Sequence, residues 1–277
     1  MTSNDSNTAA LPVVFVVGHG SRRAKANAEC ATLCERFAAS TGRTVELGFI
    51  ELAQPDLAAG LDAAAARSLE VTVFPLMLFS AGHVKQDVPD AVRAAQQRHP
   101  QVRFRIASPL GVDPRAIATA RQRADAVLAP GEAVESETMV LFVGRGSSDP
   151  DANGDLYKTA RLFGEGRRYA LVQPAFMGAT TPRVADGLAI AARLAPRHLL
   201  VVPYLLFAGL LVDQLEAEAA AFARVHLDIQ VHVAGPLGPA EALADLMGLR
   251  IVAAERDPVP FVCEHCGRAV AGVSTVP

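Results

Sequence analysis

Val13-Val14-Phe15-Val16-Val17-Gly18-His19-Gly20-Ser21 runs an unbroken apolar stretch into a histidine held between glycines. Met139-Val140-Leu141-Phe142-Val143-Gly144-Arg145-Gly146-Ser147 repeats the design with an arginine in the histidine's place. Five apolar residues without polar alternation predict a strand covered on both faces, as in a parallel sheet. Further runs predict strands at 45–50, 71–77, 102–107, 169–172, 198–202 and 229–233. Amphipathic stretches lie between them. In the first, Cys30, Leu33, Cys34 and Phe37 fall at i, i+3, i+4 and i+7, one face of a helix. Asp113-Pro114 and Thr181-Pro182 each place a capping side chain before a proline at an expected first helical position. Strands alternating with helices predict an α/β fold with doubly wound, flavodoxin- or Rossmann-like parallel sheets.

The repetition extends well beyond the glycine loops. His19 maps onto Arg145 (145 − 19 = 126), Pro55 onto Pro182 (182 − 55 = 127), Pro75 onto Pro203 (203 − 75 = 128) and Pro109 onto Pro236 (236 − 109 = 127). Four ordered matches at nearly one offset imply two fused copies of one fold. The expected layout is a disordered N-terminus at 1–11, an active lobe at 12–130, a degenerate lobe at 138–255 and a tail at 256–277. The polar stretch Ala129 to Glu137 serves as linker, and the gap between the lobes is the natural ligand site.

Composition narrows the partners. Of 277 residues 51% are apolar and the formal net charge is −3, so no overall basic field points to nucleic acid. The first ten residues are polar, with neither the basic nor the apolar region of a secretory signal. The apolar runs fall far short of the ~20 residues that span a bilayer. The expectation is a cytoplasmic protein with no membrane partner and with reduced cysteines.

The chemistry-bearing residues collect at predicted strand ends, the ligand edge of an open α/β sheet. His19 follows the first strand. His83, in Leu78-Phe79-Ser80-Ala81-Gly82-His83-Val84-Lys85-Gln86-Asp87, follows the third. Two histidines at equivalent edges point to metal or proton handling, since neutral imidazole ligates Fe, Co, Ni and Zn and titrates near neutrality. Glu51 ends the second strand; a solvated carboxylate there is an equal alternative. The repeat replaces His19 by Arg145, Glu51 by Gly178 (178 − 51 = 127) and His83 by Leu211 (211 − 83 = 128). One half is therefore expected to do the chemistry while the other closes the cleft.

His-Gly-Ser-Arg at 19–22, Phe-Ile-Glu-x-x-x-Pro at 49–55 and Pro-Leu-Met-Leu-Phe-x-x-Gly-His at 75–83 resemble the CbiX/SirB family of class II chelatases, in its long, two-lobed form, up to about residue 250. The resemblance implies a lyase that inserts Co²⁺ or Fe²⁺ into sirohydrochlorin without ATP, on the way to cobalamin or siroheme. It assigns metal and pyrrole-proton handling to His19 and His83, with Glu51 assisting. The substrate's eight carboxylates call for basic partners. Ser21, Arg22, Arg23, Lys85, Arg145 and Arg183 sit at predicted strand ends or first turns, and Arg145 leads because it occupies His19's repeat position.

The tail carries Cys263-Glu264-His265-Cys266. One Cys-x-x-Cys supplies two ligands, whereas zinc or an iron–sulfur cluster takes four. Some long-form relatives hold an iron–sulfur cluster at Met-x-Cys-x-x-Cys, and Phe261 stands in place of that methionine. A cluster shared across a dimer and a plain reduced pair are equal expectations, and the chain is a monomer or a homodimer. Against the chelatase stands a non-catalytic tetrapyrrole or metal carrier with the same cleft. A phosphate-binding α/β protein is disfavoured because no Gly-x-Gly-x-x-Gly or Walker-type loop occurs.

Overall fold

The computed structural model describes residues 11–128 and 135–256, and the backbone of 261–262 and 269–270. Cys263 and Cys266, with most of the tail, lie outside the described residues, as do 1–10 and 129–134 of the expected linker.

Strands β1 (Val13–Gly18), β2 (Val45–Phe49), β3 (Glu70–Pro75) and β4 (Arg103–Ile106) form one parallel sheet in the order β2-β1-β3-β4. Strands β5 (Thr138–Gly144), β6 (Leu171–Phe176), β7 (His198–Pro203) and β8 (Gln230–Val233) form a second, ordered β6-β5-β7-β8. A short antiparallel pair, β9 (Phe261–Val262) with β10 (Ala269–Val270), stands apart. The expected pair of doubly wound α/β lobes is thus observed. The central strands β1, β5 and β7 are buried at every residue, which is why their sequences are apolar apart from Thr138 and His198 at the starts of β5 and β7.

In lobe 1, α2 (Leu57–Arg67) and α3 (Val88–Arg98) cover the outer sheet face around Phe15, Val73 and Phe104. In lobe 2, α6 (Val184–Leu194) and α7 (Leu210–Val225) do the same around Leu141, Leu199 and Val201. The inner faces share one core that runs through both lobes, filled by α1 (Ala24–Thr41), α4 (Pro114–Asp125), α5 (Pro150–Phe163) and α8 (Glu241–Arg256).

Each lobe lends its last helix to the other. Helix α8 packs on α1, β3 and β4, while α4 packs on α5 and β7. Leu243, Leu246, Met247 and Ile251 of α8 are fully buried in this exchange, each contributing about 1.5–3 kcal/mol of burial. Arg123 donates to the Leu237 carbonyl at 3.0 Å, and its repeat mate Arg250 (250 − 123 = 127) donates to the Leu110 carbonyl at 2.8 Å. Buried Arg43 holds Glu255, at the end of α8, at 2.6 Å. The lobes are therefore fastened as one body.

Two local expectations shift. The strand expected at 169–172 runs Leu171–Phe176 and includes Pro174; a proline is tolerated because β6 is an edge strand. Pro114 opens α4 as expected, with the Asp113 carboxylate accepting from the Arg115 N–H at 2.9 Å. Pro182 opens no helix. Its carbonyl accepts the Phe176 N–H at 2.9 Å, tying the loop to the end of β6, and α6 begins two residues later at Val184.

Candidate active site

The site lies at the carboxyl edge of sheet 1, between β1 and β3, where the strand order reverses and an open α/β sheet leaves a crevice. His19 leaves β1 in a loop that must pass close to the exit of β2. Gly20 adopts φ +90°, and a Cβ there would meet the Glu51 carbonyl oxygen at 1.8 Å, so only glycine fits. The Glu51 N–H donates to the His19 carbonyl at 3.1 Å. The Asn27 side-chain amide donates to the Ser21 carbonyl at 2.8 Å, fixing the far side of the loop. After β3 the chain enters a π-helical turn, His83–Asp87, that lifts His83 over the same crevice.

The two imidazoles meet edge to face, with ring centroids 5.0 Å apart and planes at 87°. Nδ1 of His83 lies 2.6 Å from the Asp87 carboxylate. Nδ1 of His19 lies 3.2 Å from the Gly20 carbonyl and 3.7 Å from the Glu51 carboxylate. Oxygen acceptors favour the hydrogen on each Nδ1, the tautomer that leaves Nε2 of a neutral ring with its lone pair. Nε2 of His19 is buried and has no hydrogen-bond partner, an arrangement folded proteins rarely keep unless a ligand completes it. Burial, then the positive charge of Arg145, then His83, hold His19 below the ordinary histidine pKa, while the Gly20 carbonyl and Glu51 pull the other way. His19 is thus a neutral donor at physiological pH.

The cleft between the lobes has a volume of about 580 Å³, within the usual range for small-molecule sites. His19, Ser21, Glu51 and His83 line one side and Arg145 the other, between apolar residues including Leu52, Met77, Leu206 and Leu211. The other basic candidates stand outside this lining. Arg22 is exposed on the loop. Arg23 pairs with Asp213 at 3.1 Å. The Lys85 ammonium lies between Asp149 and Asp151, and the Arg183 guanidinium donates to the Met177 carbonyl. Among the described residues no group of three or more His, Cys, Asp or Glu is placed to hold a metal ion. The Glu51 carboxylate approaches Nδ1 of His19 rather than Nε2.

Lobe 2 keeps the backbone geometry but carries other side chains at these positions. Gly146 has φ +86°, and a Cβ there would meet the Gly178 oxygen at 1.9 Å, as Gly20 would meet Glu51. The Gly178 N–H donates to the Arg145 carbonyl at 2.9 Å, and the Asp213 N–H to Gly209 as Lys85 does to Ala81. These bonds place Gly178 opposite Glu51 and Leu211 opposite His83, in the register that the offsets require.

The CbiX family model matches residues 13–127 and matches again over 139–254. The chain belongs to the CbiX family. This CbiX-family chain is 34% identical over 259 residues to the sirohydrochlorin cobaltochelatase of Priestia megaterium, covering 91% of this chain and 83% of the relative. It is 31% identical over 210 residues to the sirohydrochlorin ferrochelatase of the same organism, covering 75% and 78%. The solved structure of SirB from Bacillus subtilis with Fe³⁺ superposes with a TM-score of 0.77 at 27% identity, covering 89% of this chain and 98% of that one.

Two contributors went unassigned from sequence. Asp87 closes the His83 motif, but its hold on the ring depends on residues 83–87 coiling so that i and i+4 meet. Asn27 carried a signal in the repeat: Asn153 (153 − 27 = 126) makes the same bond to the Ser147 carbonyl. Cys30 and Cys34 are buried in the core, as their helical spacing implies. Among the described residues no helix is long and apolar enough to cross a membrane.

Proposed function

We infer that the chain is a chelatase, a lyase that inserts Co²⁺ or Fe²⁺ into sirohydrochlorin. One observation carries the reading: two imidazoles whose Nδ1 atoms face oxygen acceptors lie 5.0 Å apart in one crevice, and among the described residues no group of three or more His, Cys, Asp or Glu is placed to hold a metal ion. An ion in transit needs this incompleteness, because a full protein shell would retain it. Nε2 of His19 and of His83 take the hydrated ion while its remaining positions exchange water for the macrocycle's nitrogens. Insertion releases two pyrrole protons, and each imidazole freed from the ion can accept one. Glu51 beside His19 and Asp87 beside His83 stabilise the imidazolium so formed. The apolar walls cover the faces of the macrocycle. Arg145 and Ser21 meet its carboxylates within the cleft, with Arg22, Arg23 and Arg183 on the flanking loops.

Imidazole binds Fe²⁺ and Co²⁺ in an order set by the ions, so supply determines which is inserted and hence whether siroheme or cobalamin results. The reaction belongs in the cytoplasm and needs no ATP, nucleic acid or membrane. Both walls of the cleft come from one chain, so a monomer suffices and a homodimer is compatible. A cluster at Cys263 and Cys266 enters none of these steps.

The test is turnover. Protein mixed with excess sirohydrochlorin and Co²⁺ or Fe²⁺, without ATP, should give many equivalents of metallated product per chain, followed by absorbance. Formation that stops at one equivalent would make the protein a carrier instead.

A further inference from the structure

Lys85 lies two residues past His83, within the same π-helical turn. Its ammonium reaches across to lobe 2, 2.7 Å from an Asp149 carboxylate oxygen and 2.8 Å from one of Asp151, at the start of α5. The contact is withdrawn from water, with side-chain exposure of 11% for Lys85 and 17% for Asp149. The opposite flank of the cleft pairs the same two fold positions with their charges exchanged. Asp213, the repeat mate of Lys85 (213 − 85 = 128), binds Arg23, the repeat mate of Asp149 (149 − 23 = 126), at 3.1 Å. That second pair is 59% and 55% exposed, where solvent and salt screen it heavily. The lobes thus meet at two related points, one shielded and one open, and the shielded one adjoins His83.

We propose that Lys85 is a positioning residue. Its ion pair with Asp149 and Asp151 fastens the His83 turn to α5 of the other lobe and so fixes the His83 imidazole relative to His19 and to both walls of the cleft. The ammonium is spent on this contact and does not serve a substrate carboxylate. The proposal rests on the chelatase reading for its kinetic consequence, and on geometry alone for the fastening.

Two variants test it in the full-length protein. Lys85→Met removes the contact. Lys85→Asp with Asp149→Arg and Asp151→Lys rebuilds it in the polarity of the other flank, where Arg23, Lys25 and Asp213 occupy these positions. Arg23 begins α1 without a side-chain cap bond, so an arginine at that place is compatible with a helix. Steady-state kinetics and amide hydrogen exchange over residues 83–88 are read together. Lys85→Met should lower kcat about 10- to 100-fold, the scale of losing an outer-shell support, with KM within about twofold. It should also speed exchange in the turn about tenfold. The triple variant should bring both back to within about threefold of the original, as a coupled pair requires.

A several-fold rise in KM at unchanged kcat would show a substrate contact and overturn the proposal. Exchange that stays fast in the triple variant would overturn it too. If Lys85→Met does not fold, Lys85→Gln is read in the same way. If the unmodified protein gives no turnover, the chelatase reading fails while the exchange measurement still decides the fastening.

Discussion

The two lobes share strand order, loop hydrogen bonds and glycine geometry, yet the matching positions of the crevice carry different side chains. Lobe 1 presents His19, Glu51 and His83, whereas lobe 2 offers Arg145, Gly178 and Leu211 at the matching positions. The glycines persisted because a Cβ at Gly20 or Gly146 would strike a carbonyl oxygen within 2 Å, a constraint indifferent to chemistry. On the chelatase reading, framework and reactivity are separable, and the second copy serves as the opposing wall with Arg145 in the cleft.

This asymmetry predicts unequal responses to substitution. The largest is expected at the donors: His19→Ala or His83→Ala should each lower turnover about 100- to 10,000-fold, the range for removing a positioned acid–base group. Leu211→Ala, at the position matching His83, should leave turnover within about threefold. Comparable losses at Leu211 and His83 in steady-state assays would mean that both lobes carry chemistry.

A smaller effect belongs to Arg145. Arg145→Ala should raise KM about tenfold with kcat little changed, the scale of one charge-assisted hydrogen bond. It should also move the pH profile. Metal binding needs neutral His19, so activity falls as pH drops through that group's pKa, which lies below the ordinary 6.5 because of burial and then Arg145. Without the guanidinium the pKa rises, and the acid limb of kcat/KM should shift to higher pH. A shift in the opposite direction would remove Arg145 from the site's electrostatics.

Much of this was legible in the residues. Buried parallel strands announce themselves by continuous apolar runs, and the repeat offsets pair Arg145, Gly178 and Leu211 with His19, Glu51 and His83. Strand β6 was misplaced because Gln173 and Pro174 break the apolar run, which an edge strand tolerates. The exchange of α4 and α8 left no local signal, since each helix's apolar face reads alike whichever sheet it covers. The same holds at the rim. A lysine or arginine at a strand end shows no partner in the sequence, and only the fold reveals Asp149 and Asp151 around Lys85 or Asp213 beside Arg23. Charge partners 64 and more residues away (149 − 85 = 64) are set by topology, not by spacing.

The most direct test counts metal ions. Calorimetric titration of Co²⁺ into a Cys263→Ser/Cys266→Ser background, which removes the tail thiols, should give one equivalent per chain. That equivalent should be lost in both His19→Ala and His83→Ala and retained in Leu211→Ala. Two equivalents per chain, or one that survives either histidine substitution, would contradict a single transit site built from the imidazoles of lobe 1.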